Sequence, residues 1–117
     1  MTKILVVDDS SYARRELTTW LSGHEVMEAE NGVQALAMAR ETCFDLVITD
    51  VNMPGMGGIE LARLLRALPE YAEVPIFAVT TESGVEPVRR GKVAGVTAWI
   101  VKPVNPQLFQ RAVASVL

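Results

Sequence analysis

Four short apolar runs set the strongest limit on this chain: Ile4-Leu5-Val6-Val7, Leu46-Val47-Ile48, Ile76-Phe77-Ala78-Val79 and Trp99-Ile100-Val101. Each is continuous, rich in β-branched residues and too short for a helix, so each predicts a strand buried on both faces. Glu25-Val26-Met27-Glu28-Ala29 alternates instead, as a strand nearer a sheet edge does. Helical patterns fill the gaps. Ser10 or Ser11 can cap a helix carrying Ala13, Leu17, Trp20 and Leu21 on one face, and Asn31 with Gln34 resembles a capping box for Val33 to Thr42. Gly57-Gly58 leads into Ile59 to Leu68, where Leu61, Leu64, Leu65 and Leu68 recur at helical spacing. Val85 to Ala94 predicts a fourth helix with Pro87 in its first turn. Asn105-Pro106 caps and opens a fifth, running through Leu108, Val113 and Val116.

Strand and helix therefore alternate five times, which predicts an α/β fold: a doubly wound five-stranded parallel sheet, (βα)5, covered on both faces. Right-handed crossovers leave few topologies, and ligands belong beyond the carboxyl ends of the strands near a switch point. A length of 117 residues fits a single domain spanning 1–117 that needs no disulfide or structural metal. The lone Cys43 excludes an internal disulfide and a cysteine metal cluster, and reads as a small, semi-buried apolar residue. His24, the only histidine, reads as a turn residue. A net charge of −3 opposes direct nucleic-acid binding. No apolar run approaches the ~20 residues of a membrane span, and no signal pattern precedes the first strand, so a cytoplasmic protein is expected.

The strand ends carry the chemistry. The first strand ends in Asp8-Asp9, the third in Asp50, the fourth in Thr80 and the fifth in Lys102, and a parallel sheet brings all four ends to one edge. Two carboxylates ~4 Å apart repel by roughly 4 kcal/mol at an effective dielectric of 20, so three of them call for a cation. Hard oxygen donors without histidine or thiolate suit Mg²⁺ or Mn²⁺. A divalent ion with one lysine points to phosphoryl chemistry, with Asp50 as nucleophile because it stands alone, Asp8-Asp9 as the metal grip and Thr80 as a hydroxyl donor.

Leu5-Val6-Val7-Asp8-Asp9-Ser10-Ser11, Asp50-Val51-Asn52-Met53-Pro54-Gly55-Met56, Thr80-Thr81-Glu82 and Lys102-Pro103 together resemble the response-regulator receiver domain over essentially the whole chain. The resemblance implies a flavodoxin-like strand order 2-1-3-4-5. It implies that Asp50 accepts a phosphoryl group from a phosphohistidine on a histidine kinase or histidine phosphotransfer domain, so the chain is a phosphoacceptor rather than a classical enzyme. Asp9, Asp50 and the Asn52 backbone carbonyl would ligate the metal, with Asp8 acting through a bound water. Lys102 would pair with the phosphoryl group, Thr80 would shift to hydrogen-bond it, and Trp99 would occupy the aromatic switch position; as a plain strand residue Trp99 would be core. The surface formed by residues 84–117 would then meet a downstream protein target, the chain acting as a monomer.

Residues 80–83, 91–95 and 98–103 look most like the CheY-like single-domain regulators of chemotaxis. Thr81 is bulkier than the residue common after the switch threonine, and Val104 stands where phenylalanine is frequent. Arg14 and Arg15 follow the acidic pair on the first helix, which docks kinases in this family. Arg89-Arg90 with Lys92 could meet an acidic partner. The alternatives are a phosphorelay or non-chemotaxis receiver, including the N-terminal domain of a longer regulator, and a phosphorylation-independent interaction module, for which Asp50 or Lys102 should be missing. A haloacid-dehalogenase-type phosphohydrolase needs Asp-x-Asp where Ser10 stands, and Asp8-Asp9 would repel the phosphate of a flavin cofactor.

Overall fold

The computed structural model describes residues 1–117. Five strands, β1 (Lys3–Val7), β2 (Glu25–Ala29), β3 (Leu46–Thr49), β4 (Ile76–Thr80) and β5 (Ala98–Val101), alternate with five helices, α1 (Ser11–Thr19), α2 (Gly32–Glu41), α3 (Gly58–Arg66), α4 (Val85–Ala94) and α5 (Pro106–Val116). All strand pairs are parallel, in the order β2-β1-β3-β4-β5. The order reverses at β1 and β3, so a crevice opens beyond their carboxyl ends.

Alternation along each strand divides the core. Leu5, Val7, Val47 and Ile76 face a layer completed by α2 and α3, including Ala35, Leu36, Leu61 and Leu65. Ile4, Val6, Ile48, Phe77 and Val79 face the opposite layer, completed by Leu17 and Leu21 from the first helical segment and Phe109 and Val113 from α5. Trp20 packs on Phe109 there, ring centroids 6.0 Å apart.

The helix starts follow their caps. Ser10 accepts from the Ala13 N–H, Asn31 from Gln34 and Asn105 from Leu108. Pro87 falls in the first turn of α4, where its missing N–H costs nothing. The third helix stops at Arg66 rather than Leu68, because Pro69 forces Leu68 into an extended conformation and a short 3-10 turn (Pro69–Tyr71) follows.

Two expectations of burial are corrected. Trp99-Ile100-Val101 reads as a strand buried on both faces, yet β5 has no fully buried residue, because it forms the second edge of the sheet. Cys43 is exposed in the α2–β3 connection rather than semi-buried. No helix is long and apolar enough to cross a membrane.

Candidate functional site

Asp50 is held from several sides before it meets anything. Its N–H donates to the Val7 carbonyl at 2.9 Å, its carbonyl accepts from the Thr49 hydroxyl at 2.9 Å, and its Oδ1 accepts from the Val51 N–H at 2.7 Å. Helix α3 presses on the same main chain: a Cβ on Gly58 would lie 2.0 Å from the Asp50 carbonyl oxygen. Only glycine allows that approach. The remaining oxygen, Oδ2, accepts from Lys102 Nζ at 3.4 Å.

Asp8 sits one residue past β1 and is 2% exposed. Its Oδ1 accepts from the Ser10 N–H at 2.9 Å and its Oδ2 from Lys102 Nζ at 3.1 Å. Asp9 turns outward and is exposed. Ligand oxygens of Asp8, Asp9 and Asp50 lie within 4.8 Å of one another. Lys102 reaches Asp8 and Asp50 and leaves the Asp9 carboxylate without an ion-pair partner. Three carboxylates against one ammonium, all hard oxygen donors and one of them open to solvent, fit a divalent cation such as Mg²⁺.

Lys102 reaches the cluster from the end of β5, where its N–H donates to the Thr80 carbonyl at 2.8 Å. Burial alone would pull its ammonium pKa down. The hydrogen bond to Asp8 and the charges of Asp50 and Asp8 outweigh that and hold it above the usual lysine value.

Asp8, Asp9, Asp50 and Lys102 thus form one cluster. Thr80, Asn52 and Trp99 are tied to one another by a residue to which the sequence assigned no role. Glu82, in the loop after β4, donates its N–H to Thr80 Oγ1 at 3.2 Å, accepts from Asn52 Nδ2 through Oε1 at 3.0 Å, and accepts from Trp99 Nε1 through its main-chain carbonyl at 3.0 Å. Thr80 is 0% exposed, its oxygen already accepting but its O–H proton uncommitted. The Trp99 ring lies against α4, where a Cβ on Gly91 would come within 2.7 Å of it, so Gly91 is what lets helix and indole touch. Trp99 is half-buried, neither core nor surface.

Around this loop exposed apolar residues stand among the exposed charges of Glu86, Arg89, Arg90 and Lys92. Val85 is 84% exposed, and Val88, Val93, Val101 and Leu108 are also exposed, on α4, β5 and α5. On the opposite flank, Arg15 is exposed while Arg14 is drawn inward by Glu28 and the Asp8 carbonyl. Thr81 is exposed and Val104 packs partly into the α1–α5 layer.

Residues 4–114 match the response regulator receiver domain family. The chain is 44% identical over 119 residues to a chemotaxis protein CheY homolog of Campylobacter jejuni, covering 98% of this chain and 92% of that protein. It is 43% identical to chemotaxis protein CheY1 of Helicobacter pylori, covering 98% of this chain and 96% of the relative. In three dimensions it is similar to the chemotaxis protein CheY4 of Vibrio cholerae, with a TM-score of 0.95 and 41% identity over 100% of this chain and 99% of that one.

Proposed function

The chain belongs to the response regulator receiver domain family, which serves two-component signalling, and from that premise we propose that residues 1–117 act as one receiver domain phosphorylated on Asp50. The observation that carries this reading is the cluster itself: an immobilised Asp50 carboxylate, two further carboxylates within 4.8 Å, and an ammonium shared between Asp8 and Asp50.

A carboxylate oxygen of Asp50 attacks the phosphorus of a phosphohistidine on a histidine kinase or phosphotransfer domain. The P–N bond breaks, an acyl phosphate forms, and the imidazole leaves and takes up a proton. Asp9, Asp50 and the Asn52 carbonyl would hold Mg²⁺ or Mn²⁺, with Asp8 acting through a water. When bound, the ion neutralises charge on the transferring group. Val51 and Thr49 keep Asp50 in place, so little reorganisation accompanies the attack.

The new group carries about −1.5 to −2 charge and three acceptor oxygens. Lys102 then turns from Asp8 toward those oxygens, and Thr80 offers its uncommitted proton. Moving Thr80 displaces Glu82, which holds Trp99 and Asn52, so the 84–117 face changes shape where its apolar residues are exposed. That face meets a separate protein target in the cytoplasm, and the names of the relatives support a chemotaxis role.

Intact-mass analysis after incubation with acetyl phosphate and Mg²⁺ tests the reading. One phosphoryl adduct is expected on the wild type and none on Asp50→Asn; no wild-type adduct, or equal adducts on both, overturns it. In a Trp20→Phe background, Trp99 emission and capture of the output partner should both change with a beryllofluoride mimic.

A further inference from the structure

Arg14 and Arg15 are neighbours of one type on α1, yet only Arg15 faces solvent. The Arg14 side chain is 12% exposed, and its guanidinium spans two elements. Nε donates to Glu28 Oε1 on β2 at 2.9 Å, and Nη1 donates to the main-chain carbonyl of Asp8 at 2.5 Å. That carbonyl belongs to the peptide joining Asp8 to Asp9. β1 ends at Val7, so the β1–β3 ladder no longer fixes this peptide plane. The peptide before it is still held, because the Asp8 N–H donates to the Ala29 carbonyl at 3.1 Å, whereas the Asp8–Asp9 peptide is held through its carbonyl by Arg14.

We propose that Arg14, anchored by Glu28, is a positioning residue for the cation site: it fixes the plane of the Asp8–Asp9 peptide and so the direction in which the Asp9 carboxylate leaves β1. The proposal rests on the reading of Asp8, Asp9 and Asp50 as the site of a divalent cation. Asp8 and Asp50 are already oriented by Ser10, Val51 and Lys102. Asp9 has no ion-pair partner, so its aim depends on its backbone. The task needs the fork of an arginine, because a carboxylate on β2 and a carbonyl beyond β1 must be held at once. Groups that orient metal ligands typically change metal affinity by about 10–100-fold when lost.

Charge alone predicts the opposite sign. Arg14 is a cation beside a cation site, and removing it while leaving Glu28 would tighten metal binding if electrostatics governed. Calorimetric titration of the full chain with Mg²⁺, alongside thermal unfolding in a chelator, separates the two. Arg14→Ala is expected to weaken Mg²⁺ binding about tenfold, and Arg14→Lys, which keeps the charge but not the fork, by at least about threefold. Glu28→Gln keeps an acceptor for the guanidinium and stays within about twofold. In Arg14→Lys the Mg²⁺ concentration that half-saturates phosphorylation by acetyl phosphate rises while the maximal rate holds. A lower Tm with unchanged or tighter Mg²⁺ binding in the Arg14 variants overturns the proposal. If Arg14→Ala does not fold, Arg14→Lys decides alone. A wild type that binds no Mg²⁺ sinks the cation-site reading, and the positioning role with it.

Discussion

The crevice has two walls that are packed differently. On one side, β1 and β3 are buried along almost their whole length and α2 and α3 supply four buried residues each. On the other, α4 buries only Gly91 and β5 buries nothing fully. The carboxylates come from the first wall, whereas Lys102 and Trp99 come from the second and Thr80 opens the loop that leads into it. A dense wall transmits force without yielding, and a lightly buried one opens at low cost. Such a division suits a switch, since the charge arrives on a fixed point and the response is left to the part that can move.

The contrast can be attacked with one glycine from each wall. Gly58→Ala places a methyl group 2.0 Å from the Asp50 carbonyl oxygen, and the obstacle is backbone that Thr49 and Val7 already hold. The expected cost is about 3 kcal/mol, the upper range for overpacking. Tm should fall by roughly 10 °C or more, with phosphorylation of Asp50 impaired in whatever remains folded. A change below about 0.5 kcal/mol by chemical denaturation, the size of an ordinary surface substitution, would show that the first wall yields after all.

How much of this the sequence disclosed depends on what fixes each feature. The strands over residues 4–7, 46–48 and 76–79 were legible because continuous apolar runs have one stable use in an alternating chain. The run Trp99-Ile100-Val101 has the same composition but lies at an edge, and edge position is set by strand order rather than by the residues themselves. Leu108 and Phe109 differ by one helical step, enough to exchange surface for core. Arg14 and Arg15 differ by the same step. The cluster of Asp8, Asp9, Asp50 and Lys102 was readable because each residue ends a strand. Glu82 was not, since two of its three contacts use main-chain atoms that any residue offers and only the bond from Asn52 depends on its side chain.

Lys102 joins the walls, so removing it tests whether they are held together by charge. Without its ammonium, Asp8 and Asp50 face each other uncompensated, and Lys102→Met should lower stability in a chelator by about 1–2 kcal/mol, below the 3–5 kcal/mol of a fully buried pair because Lys102 is partly exposed. Mg²⁺ should then restore more stability to the variant than to the wild type. The pH dependence has a definite sign. A lysine held above its ordinary pKa stabilises the fold fully below the unfolded value of about 10.4 and loses that contribution as pH rises through the folded value. Wild type should lose stability above about pH 10.4 more steeply than Lys102→Met, and parallel curves would mean that the ion pairs add nothing.

Gly91→Ala is the matching test of the second wall and the smallest effect. The added methyl group comes within 2.7 Å of Cζ3 of the Trp99 ring, but this obstacle is a side chain at a sheet edge rather than a pinned carbonyl. The ring can tilt or α4 can lift, and each costs little because α4 buries so few residues. The expected loss is about 1 kcal/mol, at the low end for overpacking. The movement should appear where the geometry says the slack lies. Trp99 emission should shift as Nε1 is drawn from the Glu82 carbonyl, while Mg²⁺ affinity, set on the other wall, stays at its wild-type value. Equal costs for Gly91→Ala and Gly58→Ala would mean the two walls are equally stiff. A loss of Mg²⁺ affinity in Gly91→Ala would mean that strain crosses from α4 to the carboxylates even without a phosphoryl group, and the division between a fixed site and a yielding response would fail.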